Sequence, residues 1–294
     1  MNKIIFYTLL LFIIKYFYSK YNLHLVKTDY DEKVKLLNNH IIYSNKPNIW
    51  ILVPNDVNSR KWDSFSSRTS KNLNVPFVNM CIESVVDKCG KDFTVNVIKD
   101  TTFCDYIPDW KYTVKNAPEI DKIKLRKLGL LKLVYYYGGF IVPCSFFCEK
   151  NLIDLYDKNV SFEVSNKSIS NDDNMFLPTI DFFGAPKNNE FVGKMIKHYE
   201  LEENNVTNKI GYLLKKHSTV IDGKYIGTKT VNNQTVYIDD LFNNINLASR
   251  GERYGVLLPL DDIINKSKYA WFSRLSIPQI QNSDLFISKI LCKK

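Results

Sequence analysis

Most of the signatures that would tie this chain to a familiar chemistry are absent. Its 294 residues contain no GxxxxGK[ST] phosphate loop, no GxGxxG after a strand, no GxSxG elbow and no HExxH. That excludes P-loop nucleotidases, dinucleotide-dependent dehydrogenases, serine hydrolases of the elbow type and zincin proteases. Histidine is scarce, and His24, His40, His198 and His217 are scattered without a four-ligand zinc spacing. Dense Arg/Lys blocks are missing too: the net charge is +9, but lysines are spread from Lys3 to Lys294. Such a surface suits a phosphate-bearing ligand or simply solvates the protein, and no nucleic acid is expected as a partner. Glycine and alanine are scarce and no low-complexity linker follows residue 48. The six cysteines, at 81, 89, 104, 144, 148 and 292, form no framework pattern in a chain this long, so reduced structural thiols are expected.

A long hydrophobic run is also lacking. The strongest, Ile4–Ile14, has only eleven residues, whereas a bilayer needs about 20. Lys15 can snorkel, however, and Tyr16-Phe17-Tyr18 suit a membrane interface. No small-residue cleavage site follows. Residues 1–20 therefore read as a signal anchor, with a cleaved signal peptide as the alternative. Residues 4–18 would meet the membrane, giving a single-pass protein of the secretory pathway or of a viral or host membrane, on an undetermined side. Residues 21–47 read as a polar stem and 48–294 as one domain.

What is present is an alternation of strand and helix. Ile49–Val53 is a continuous apolar run closed by Pro54-Asn55-Asp56, the pattern of a buried parallel strand. Asn79–Lys88 carries apolar residues at helical spacing and stops at Gly90. Phe93–Ile98 reads as a second strand ending at Asp100, followed by a helix over Leu125–Tyr137, Gly138-Gly139 and a strand Phe140–Val142. This order predicts an α/β fold with a mostly parallel sheet flanked by helices. Further on, Val160–Val164 and Thr179–Gly184 read as strands, Glu190–Tyr199 and Asp284–Leu291 as helices.

The segment LGLLKLVYYYGGFIVPCSFF, Leu128–Phe147, resembles the helix–YGG–strand–DxD segment of glycosyltransferase family 32 and related capsular-polysaccharide-synthesis proteins. The pieces IWILVPNDVNSRKWDSFSSR, YYYGGFIVPCSFF and YAWFSRLSIPQI are similar to giant-virus-type members that lack the DxD pair. The resemblance implies a GT-A-like domain with a nucleotide-sugar donor and a glycan acceptor. In that family the Asp-x-Asp pair holds a divalent cation against the donor diphosphate. Here Pro143-Cys144-Ser145 stands in its place. Pro143 has no ligating side chain, Cys144 is too soft for Mg²⁺ or Mn²⁺, and Ser145 offers one neutral oxygen. No cofactor is expected, since these three residues do not suit a divalent cation. The Asp and Arg that the family carries in the preceding helix are Lys127 and Leu130 in this chain.

Candidate site residues follow from position. Asn55, Arg60 and Trp62 come after the first strand, where Arg60 can grip a phosphate and Trp62 can stack on a base. Asp100 closes the second strand and can accept from a base or ribose, or simply cap a turn. Lys124 and Lys127 share a helix face and can neutralise a diphosphate without metal, or form a solvated face. Asp181, after Pro178-Thr179-Ile180, is the candidate catalytic base. Asp172-Asp173, Asp239-Asp240 and Asp261-Asp262 read as caps and turns. Two functions remain open: a sugar transferase working without the DxD metal, and a non-catalytic sugar- or nucleotide-binding module or scaffold on the same fold.

Overall fold

The computed structural model describes residues 46–54, 75–108, 110–156, 158–165, 176–201 and 206–292. Asn55, Arg60, Trp62 and the Asp172-Asp173 pair lie outside the described residues, as do the apolar run 4–18 and the stem.

A six-stranded sheet forms the centre of the domain. Its strands are β1 (Asn48–Leu52), β2 (Thr94–Ile98), β3 (Gly139–Ile141), β5 (Val160–Ser165), β6 (Phe176–Ala185) and β7 (Thr219–Ile221), in the order β2-β1-β3-β6-β5-β7. β1 pairs in parallel with β2 and β3, and β5 in parallel with β7. β6 alone runs against its neighbours β3 and β5, so the sheet is mostly parallel with one reversed strand. A separate antiparallel ribbon joins β4 (Phe146–Cys148) to β8 (Gly255–Leu257).

The strand period of two sorts the side chains onto the two faces. Ile49 and Ile51 join the apolar core beneath α1 (Pro76–Cys89), together with Phe77, Val78 and Val85. Trp50 points the other way, its ring 5.7 Å from Tyr137, while its indole N–H donates to the Gly138 carbonyl at 3.0 Å. Tyr137 ends α3 (Glu119–Tyr137), which covers that face. α2 is the short turn Phe103–Tyr106. α3 begins six residues earlier than its apolar periodicity suggests. Its first turn is solvent-facing, with Glu119 and Asp121 placed favourably for the helix dipole and no apolar stripe to announce it.

Proline starts α1 and Gly138 ends α3, as the residue types require. Gly138 and Gly139 both have positive φ, 71° and 104°. A Cβ on Gly139 would collide with the Asn48 carbonyl, so the second glycine admits the close approach of β3 to β1 rather than a ligand.

The later half holds α4 (Glu190–Glu200), capped by the Asn189 side chain, α5 (Val206–His217), and the short helices α6 (Ile238–Asn243), α7 (Leu260–Asn265), α8 (Ile277–Gln281) and α9 (Phe286–Leu291). The single helix expected over Asp284–Leu291 is therefore shorter, starting at Phe286. Phe146, Phe162 and Phe182 interlock where ribbon and sheet meet, with centroids 4.7 Å and 3.9 Å apart. No helix among the described residues is long and apolar enough to cross a membrane.

Candidate functional site

Parallel α/β sheets collect ligands beyond the carboxyl ends of their strands, where side chains from successive turns converge. A cavity of about 530 Å³ opens there, past the end of β3. That is well inside the ~300–1,000 Å³ range of small-molecule sites. Its walls come from α3 (Lys127), the turn after β3 (Pro143, Ser145), the first half of β6 (Leu177–Phe182) and the β8–α7 connection (Leu257–Asp261).

The turn after β3 is held rigidly. Ser145 donates its hydroxyl to the Leu258 carbonyl at 2.8 Å, and Leu258 N–H returns a bond to the Ser145 carbonyl at 3.1 Å. The buried Ser145 thus stitches the turn to the end of β8. Phe146 is buried in the core and does not line the cavity, whereas Pro143 does.

Asp181 owes its position to an irregularity in β6. Ser161 pairs with Phe183, but the next residue, Phe162, pairs with Thr179. Ile180, Asp181 and Phe182 are therefore extra on the β6 side, and such a bulge re-aims a side chain out of the pleat. Phe182 goes into the core while Asp181 stays 49% exposed at the cavity. Thr179 donates to Asp181 Oδ2 at 2.9 Å and accepts from the Asp181 N–H at 3.1 Å. Lys127 Nζ lies 3.2 Å from the same Oδ2, with its side chain only 16% exposed. Both bonds fall on Oδ2, so among the described residues Oδ1 is the oxygen left to take a proton.

Of the residues singled out from the sequence, Lys127, Ser145 and Asp181 thus meet in one cavity although they come from three separate segments. Asp100 does not join them. Its buried carboxylate is gripped bidentately by Arg126, with Nε–Oδ1 and Nη2–Oδ2 both at 2.8 Å. Lys124 is half-buried on α3 outside the cavity wall. Asp239 bonds Lys268 and Tyr269, and Asp240 caps the Tyr237 N–H at the start of α6. Asp262 pairs with Lys266, whereas its neighbour Asp261 lines the cavity.

Thr179 escaped the sequence reading as a site residue, and Asp261 was read there as a cap or turn former. Thr179 has a detectable signal, because residues i and i+2 share a strand face. Asp261 has none, since its route to the cavity depends on how β8 pairs with β4. Among the described residues no three His, Cys, Asp or Glu side chains gather as a metal site would require.

No family model matches the chain, and no curated protein matches it. Among solved structures it is similar to one titled "PaToxG Glycosyltransferase", at 14% identity over 63% of this chain and 77% of that one, with a TM-score of 0.37.

Proposed function

We propose that the chain is a GT-A-like glycosyltransferase whose donor site is this cavity and which works without the DxD metal pair. The observation that supports it is the convergence of Lys127, Ser145 and the bulge-mounted Asp181 at the carboxyl edge of the sheet. In this reading the donor diphosphate takes Lys127 as its counter-charge, which breaks the Lys127–Asp181 bond. The freed carboxylate then accepts the proton of the acceptor hydroxyl as its oxygen attacks the anomeric carbon. The bond from that carbon to the phosphate oxygen breaks, and Lys127 stabilises the departing charge. Residues 4–18 would hold the protein at a membrane.

A second reading rests on the cavity's charge. Lys127 is already neutralised by Asp181, and Asp261 adds a further carboxylate against apolar walls. Carboxylates and apolar walls suit the hydroxyls and C–H faces of a neutral sugar, which would make the protein a binding module.

Thermal-shift titration of the full chain with UDP- and GDP-sugars, with and without Mn²⁺, separates the two. Metal-independent stabilisation by one donor, lost in Lys127→Gln, is the outcome the transferase reading expects. Asp181→Asn should keep that binding and lower transfer at least ~100-fold. Stabilisation by a free monosaccharide, unchanged in Lys127→Gln and with no response to donors, would leave the binding module. A folded protein that answers to neither would end both.

A further inference from the structure

Two thiols that the cavity does not use lie against each other where α1 meets β4. Cys89 closes α1 and Cys148 closes β4, 59 positions apart in sequence, with their sulfurs 3.9 Å apart. Both are fully buried. The backbone around them is pinned, because the Ser84 hydroxyl accepts from Cys148 N–H at 2.7 Å and donates to the Cys81 carbonyl at 2.6 Å. Helix and strand therefore present the two Sγ atoms to each other in a fixed relation.

We infer that Cys89 and Cys148 are a disulfide-forming pair, joined when the chain folds in the presence of a thiol oxidant such as glutathione disulfide and left as a dithiol otherwise. A disulfide needs about 2.0 Å between sulfurs. Closing the present 3.9 Å thus takes roughly 1.9 Å of movement.

Either thiol can open the exchange; when Cys89 does so, Cys148 is the resolving sulfur. The Cys89 thiolate attacks glutathione disulfide and expels one glutathione thiolate, forming a mixed disulfide. Cys148 gives up its proton, attacks Cys89 Sγ and expels the second glutathione. Two electrons pass from the protein thiols to one glutathione disulfide, and their two protons end on the two glutathione thiols. Because both sulfurs are shielded in the folded chain, the exchange belongs to the stage before α1 docks on β4.

The full chain, refolded once in a glutathione redox buffer and once fully reduced, would be unfolded in N-ethylmaleimide, digested and mapped by mass spectrometry. The oxidised sample should yield a linked Cys89–Cys148 peptide. It should also melt on the order of 5–10 °C above the reduced one, because the bond closes a long loop in the unfolded chain. Maleimide on both Cys89 and Cys148 in both samples would overturn the inference. So would a different pairing, such as Cys81 with Cys144.

Discussion

Asp100 and Arg126 show how a buried charge is tolerated: each satisfies the other through two parallel 2.8 Å bonds. Removing Arg126 leaves the Asp100 carboxylate, 4% exposed, without its two charged donors. Arg126→Ala should therefore cost about 3–5 kcal/mol in urea unfolding. A loss under about 1 kcal/mol would mean that the pair is solvated in solution. Cys144 makes a second test at this scale. Burial, aided by the charge of Asp261 and opposed by a backbone hydrogen bond, pushes its thiol up to about 12. An unfolded thiol ionises near 8.5, so at higher pH the native state holds a proton that the unfolded state has lost. The stability this thiol contributes is intact below about pH 8.5 and drains away as pH climbs toward about 12. Cys144→Ala should flatten that part of the alkaline slope in denaturation measured from pH 8 to 11, and an unchanged slope would place the thiol in water.

At the scale of elements, the decisive junction is the one from α3 to β3. Gly139 sits at φ 104° with the Asn48 carbonyl where its Cβ would be. Gly139→Ala should cost about 3 kcal/mol or more, since strain and steric overlap both push β3 from β1. Circular dichroism melting checks it, and a variant melting like the parent would mean the strand pair relaxes freely. The glycine pair was legible as a helix stop, but the helix's true start was not. An exposed first turn has no apolar period to reveal it, and α3 begins at Glu119 only because its body packs on the sheet. The β6 bulge was equally hidden. Its sequence reads as an ordinary strand, and the extra residues appear only when β5 is laid beside it. Asp181 falls inside the strand the sequence predicts, and the bulge, which the sequence does not show, is what brings it to the cavity.

For the whole molecule, the apolar core beneath α1 starts at Ile49, and Pro47 contributes a carbonyl to Thr94 N–H at 2.8 Å. A chain beginning at Asn45 should accordingly keep the domain folded, with a melting temperature within ~2 °C of the full protein by calorimetry. A large drop would show that residues before it pack on the domain.

Local chemistry by itself determined the alternation of strand and helix, the glycine stop after Tyr137 and the absence of carboxylates at Pro143-Cys144-Ser145, because periodicity, backbone freedom and ligand chemistry are properties of neighbouring residues. The reversed strand β6, the pairing of Asp100 with Arg126, the meeting of Lys127 with Asp181 and the contact of Cys89 with Cys148 were decided only by the tertiary structure. Each joins residues far apart along the chain. Whether they touch depends on strand order and register, which the packing of the whole sheet fixes and no local pattern encodes.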